Sequence, residues 1–177
     1  MNGPKKLDAY RIGGAPLTKA QLLPPTAASA RELSLRNHLA VAACRSGNGN
    51  RALLRELFAI ACLSYFLREA GFAFGPDTLY GEVQGALERC VERCSTDEPW
   101  QVDEPDGVAL GRLVTIYDRQ FSTAPMYVME GAHKRLKRLA VGEWRFPWAR
   151  RSPAPAPEQS EGPSAPAPEQ GEDPPGS

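Results

Sequence analysis

The chain has 177 residues, 21 Lys plus Arg against 21 Asp plus Glu, a formal net charge of zero, and 42% hydrophobic residues. That length fits one domain and excludes large architectures such as a β/α barrel. No apolar run approaches the roughly 18 to 20 residues of a spanning helix, and the first 25 residues hold no continuous apolar stretch of the secretory type.

The zero charge is an average over unlike parts. Segment 152–177 contains Glu158, Glu161, Glu169, Glu172 and Asp173 and no base, so residues 1–151 carry an excess of five positive charges. The same segment repeats Ala-Pro-Ala-Pro-Glu-Gln at 154–159 and 165–170 and has no Leu, Ile, Val, Phe, Tyr or Trp. Such a composition cannot offset the ordering entropy of about 1–2 kcal/mol per residue and reads as a disordered, acidic, Pro-rich tail.

Residues 1–25 read as a flexible arm, interrupted by Gly3, Pro4, Gly13, Gly14, Pro16 and Pro24-Pro25. Order is predicted from Thr26, which caps a helix to about Arg45 with Leu35, Leu39 and Ala42 at helical spacing, flanked by Leu33 and Ala43. Ser46-Gly47-Asn48-Gly49 stops it. Asn50 caps a second helix to about Ala70, apolar nearly all round and therefore suited to the centre of a bundle.

Asp77 is placed to cap a third helix, with Tyr80, Val83, Leu87, Val91 and Cys94 on one stripe. The acid-rich stretch from Asp97 to Asp106 reads as a loop whose carboxylates suit the N-terminal end of a fourth helix. That helix presents Leu110, Leu113, Val114, Tyr117 and Phe121 on one face. Pro125 opens a fifth, lined by Met126, Met129, His133, Leu136 and Ala140. Short connections favour antiparallel neighbours, so the fold class is all-α, a single bundle of about five helices over 26–151.

Few chemistries survive. His38 and His133 have no recognisable acid–base partner motif, and neither a phosphate-binding glycine loop nor a nucleophile elbow is present. Cys44, Cys62, Cys90 and Cys94 lack paired metal-ligand spacings and read as small hydrophobes in a reducing compartment. A non-enzymatic cytoplasmic protein without cofactor, metal, membrane or small-molecule substrate is the resulting expectation.

One feature stands apart. Lys134, Arg135, Lys137 and Arg138 are followed by Trp144, Arg145, Phe146 and Trp148, then Arg150 and Arg151, with Glu143 the sole acid between 131 and 151. Clustered cations release counterions from a nucleic-acid backbone, which makes these seven basic residues candidate phosphate contacts. Trp144, Phe146 and Trp148 are candidates for gripping a protein partner, or for folding back to seal the bundle.

Ala30 to Leu39, read Ala-Arg-Glu-Leu-Ser-Leu-Arg-Asn-His-Leu, resembles a segment of small uncharacterised bacterial helical proteins labelled as transcriptional regulators of the Fis family. Gly131 to Ala140 is also similar to the basic recognition helix that closes Fis domains. The resemblance implies a DNA-binding regulator, in a dimer, with Lys134, Arg135, Lys137 and Arg138 facing double-stranded DNA. Two registers are open: a new helix after a turn at Glu130-Gly131, or one unbroken helix from Pro125. The apolar spacing from Met126 to Ala140 favours the unbroken helix. The alternative to DNA association is a protein–protein adaptor built on segment 144–148.

The acidic tail has two readings, a solubilising appendage or a cover over the basic face. If it covers that face, a chain ending at Arg151 binds a polyanion such as heparin more tightly at low salt; equal affinities leave the solubilising role.

Overall fold

A computed structural model describes residues 11–12, 15–94, 100–139 and 146–149. Within them the chain is a helical bundle: α1 (Lys19–Leu22), α2 (Ala27–Arg45), α3 (Arg51–Glu69), α4 (Thr78–Cys94), α5 (Glu104–Thr123) and α6 (Met126–Leu139). No helix among the described residues is long and apolar enough to cross a membrane. The tail 152–177 lies outside the described residues.

α3 is the axis. Leu54, Leu57 and every residue from Ile60 to Leu67 are buried, and the helix contacts α2, α4, α5 and α6. Asn50 caps it through its side chain, accepting from the Leu53 amide at 2.9 Å. α5 packs against it with Leu110, Leu113, Val114 and Tyr117 buried, as their spacing predicts. A polar network runs through this interior. Ser64 and Tyr80 hydroxyls lie 3.1 Å apart, and the Gln120 amide donates to the carbonyls of Ser64 and Phe72 at 3.0 and 2.8 Å.

α2 turns a different face inward from the one its leucines predict. Leu35 and Leu39 are 63% and 58% exposed and Ala42 is exposed, while Asn37, Ala40, Val41 and Cys44 are buried. Both stripes have helical spacing, so periodicity does not choose between them. Small residues at 40, 41 and 44 let α2 lie close against α5, and polar links fix its rotation. Asp118 on α5 accepts from the Ser34 hydroxyl at 2.7 Å and pairs with His38 Nε2 at 3.0 Å. At the other end both Glu104 oxygens accept from Arg45 Nη2, at 2.6 and 2.7 Å. A β-carbon at Gly107 would fall 2.8 Å from Arg45 Cδ, so glycine gives the arginine its path.

Other departures are local. The arm is partly structured: Arg11–Ile12 and Ala15–Pro16 form a short antiparallel pair, and Thr18 and Gln21 close a capping box on α1. The Leu23 carbonyl accepts from the Met126 amide at 3.0 Å, tying the arm to the start of α6. On α4, Val91 is 47% exposed and Cys90 is buried in its stead. α5 begins at Glu104, inside the predicted loop, with Glu104 and Asp106 in its first turn as suits the helix N-terminus, and the acids there also pair with arginines. Asp103 is the N-cap but makes no side-chain cap bond, and it accepts from Arg93 at 3.0 Å. Asp106, buried in the first turn, takes the Arg89 guanidinium fork at 2.5 and 3.2 Å, and that bonding raises the Arg89 pKa. Asp77 likewise pairs with Arg68.

The turn between α2 and α3 depends on glycine twice. Gly47 has φ +76, and a β-carbon at Gly49 would sit 2.1 Å from the Trp100 carbonyl oxygen.

The α2 rotation has a direct check in denaturant melts. Leu57→Ala should cost about 2–5 kcal/mol. Leu35→Gln and Leu39→Gln should each stay within about 0.5 kcal/mol of the parent, the range of surface substitutions.

Candidate functional site

α6 is where burial and charge separate most cleanly. Met129 and Ala132 are buried, Val128, Leu136 and Leu139 pack against the core, and the remaining face meets solvent. At about 100° per residue, Lys134 points directly away from the Met129–Ala132 side. Lys137 and Arg138, three and four positions on, fall to either side of it within one arc. All three are exposed, and among the described residues none has an ion-pair partner. The helix runs unbroken through Gly131, so no turn separates a scanning helix from a recognition helix at Glu130-Gly131.

Arg135 belongs elsewhere. Its guanidinium carbon lies 3.9 Å from the centroid of the Phe66 ring, and Nη2 donates to Glu69 Oε2 at 2.6 Å. A cation held over an aromatic face and saturated by a carboxylate fastens α6 to the C-terminal end of α3. The sequence carried a signal for this: Phe66 and Glu69 are one turn apart at the end of an otherwise buried helix. Arg135, although exposed, is therefore engaged with α3, while Lys134, Lys137 and Arg138 are exposed without an ion-pair partner among the described residues.

The aromatic segment faces inward where it is described. Phe146 is buried, with its ring 4.8 Å from those of Phe58 and Trp148. Trp148 packs 5.1 Å from Tyr65 and 5.3 Å from Tyr80. These two rings close the bundle over α3 and α4. Trp144, Arg145, Arg150 and Arg151 lie outside the described residues. No known protein family, curated protein sequence or solved structure matches the chain.

The other reactive side chains among the described residues have the following surroundings. Ser34 and His38 both bond the same Asp118 oxygen, so the imidazole is not in contact with the serine hydroxyl it would have to deprotonate. His133 borders the apolar stripe beside Leu136 but is exposed rather than partly buried, and its Nδ1 donates to the Met129 carbonyl at 2.8 Å. Cys44, Cys62 and Cys90 are buried, and burial pushes the Cys62 thiol up to about 12. Among the described residues no group of three or more His, Cys, Asp or Glu could hold a metal ion.

The division of labour on α6 separates in a stability assay. Arg135→Ala should lower stability by about 1 kcal/mol, the scale of a partly exposed cation–π contact with its ion pair. Lys134→Ala should leave the melting curve in place. Equal effects would mean that Arg135 is not a fastener.

Proposed function

We propose that this protein is a non-enzymatic, DNA-associated regulatory protein that contacts phosphates of double-stranded DNA through the solvent face of α6. What supports the reading is the exposed triad Lys134, Lys137 and Arg138 on a single arc, with no ion-pair partner among the described residues, although Glu130 lies one turn before Lys134 on the same side. Cations so placed on a rigid helix exchange their contacts for condensed counterions, which gives salt-dependent, sequence-independent affinity.

The geometry favours backbone association over base reading. A recognition helix reads bases with its N-terminal residues. Here Met126, Tyr127 and Val128 are half-buried and Met129 is buried, with the Met126 amide tied to Leu23. None of these four side chains is charged, and none is fully exposed. Arg145, Arg150 and Arg151 would extend the contact along the chain beyond α6. The adaptor alternative has less to draw on, because two of its three anchors, Phe146 and Trp148, pack into the bundle, and Trp144 lies outside the described residues.

Binding of the full chain to a mixed-sequence duplex, measured across a salt series, tests this. Three phosphate contacts contribute about −2.7 to the log–log slope of affinity against salt. Replacing Lys134, Lys137 and Arg138 together by Ala should flatten the slope by that amount, whereas Arg135→Ala should barely change it. An unaltered slope in the triple variant removes α6 from the interface.

A further inference from the structure

Three of the six large hydrophobic side chains exposed among the described residues lie on one face of the bundle. Leu35 and Leu39, 63% and 58% exposed, run along the outer side of α2, and Val108 lies exposed on the outer side of α5. Scattered singly such residues are ordinary, but grouped on neighbouring helices they mark an interaction surface. Beside them an open groove of about 550 Å³ runs over α5, lined by His38, Phe74, Leu79, Gly111, Thr115 and Ile116. Gly111 is its bare floor. A β-carbon there would meet nothing within 4 Å, so the fold itself has no use for a glycine at this position. In a helix interior glycine only weakens the helix, and what it leaves here is room above the α5 backbone.

α2 and α5 lie side by side and antiparallel. Arg45 reaches Glu104 past Gly107 at one end, and Ser34 bonds Asp118 at the other. That register sets Leu39 level with Arg112, Leu35 between Thr115 and Arg119, and Glu32 level with Arg119, to within about 1.5 Å along the axis. At about 100° per residue, Glu32 falls on the flank of α2 turned away from α5, and Arg119 on the flank of α5 turned away from α2. Both are exposed, neither has an ion-pair partner among the described residues, and Arg119 rests over the Phe74 ring at 4.8 Å. A second copy, turned by 180° about an axis running along the helices between α2 and α5, lays its α2 over this α5 at the same level. Its Leu39 then enters the groove beside Gly111, and its Glu32 stands over Arg119. By symmetry each contact occurs twice.

We propose that two copies of this chain associate through the joint face of α2 and α5, seating Leu35 and Leu39 over the partner's α5 and pairing Glu32 with Arg119 of the partner subunit. The face complements itself: apolar knobs on α2, a bare floor on α5, and an acid and a base at matching outer corners. α2 is about 28 Å long, so two helices side by side cover roughly 560 Å² per copy. The total of roughly 1,100 Å² falls at the low end of specific interfaces, so the dimer is reversible and dissociates in dilute protein. It uses none of the α6 cations and stands or falls independently of DNA association.

Sedimentation equilibrium of the full chain without nucleic acid, from low to high micromolar concentration, tests this. The expected result is a reversible monomer–dimer equilibrium, weakened at least about tenfold by Leu39→Glu, which carries a charge into the groove. Gly111→Leu should weaken it as well without lowering the melting temperature of dilute protein, because its β-carbon touches nothing in its own chain. Glu32→Arg and Arg119→Glu should each weaken the dimer, and the two together should restore it by re-forming both symmetry-related pairs. A single monomeric species at every concentration overturns the proposal and leaves the face to a different partner. A dimer that tolerates Leu39→Glu or Gly111→Leu, or single charge swaps that the double swap does not repair, overturns it too.

Discussion

Burying α3 on every side is the constraint from which the rest of the bundle follows. A helix with Leu54, Leu57, Ile60, Leu63, Phe66 and Leu67 distributed around its circumference needs neighbours in several directions at once, and α2, α4, α5 and α6 provide them. Each neighbour then needs only one apolar stripe. α6 commits Met129, Ala132 and Leu136 to that task and is left with a polar face of its own. Phe146 and Trp148 complete the enclosure where α3 and α4 diverge.

Electrostatics sorts the cations that this packing leaves at the surface. Arg36, Arg45, Arg68, Arg89, Arg93 and Arg135 each face a carboxylate from another helix or from the chain leading into one. Pairs this exposed contribute little stability individually, but they fix the rotation and register of helices whose apolar stripes are ambiguous. Asp106, the most buried of these acids, is the pair on which α4 and α5 most depend. Lys134, Lys137 and Arg138 lie outside this system and face solvent, with Glu130 the acid beside them on α6.

How legible this was in the sequence varies with the physics involved. The central helix was readable because a side-chain set apolar all round has one solution, and α5 because its stripe has no competitor. α2 was misread because Leu35, Leu39 and Ala42 form as regular a stripe as Ala40, Val41 and Cys44, and larger side chains bias the choice. Close approach to α5, favoured by small residues and fixed by Ser34, His38 and Arg45, decided the matter. Arg135 was grouped with its basic neighbours because its partner Glu69 is distant in sequence. Asn37, flanked by Arg36 and His38, reads as surface until α2 is seen to rotate. The basic helix itself was legible as a charge cluster, but only the fold shows which of its members face water.

The proposal that carries the rest is that the exposed cations of α6 meet a phosphate backbone. Titrating isotope-labelled protein with a short mixed-sequence duplex at low salt, and mapping amide and side-chain shifts, tests it most directly. The account predicts the largest changes at Lys134, Lys137 and Arg138, with Arg135 and the first turn of α6 little affected. Shifts centred on Arg51, Arg55 or Arg112, or none at all, would contradict it.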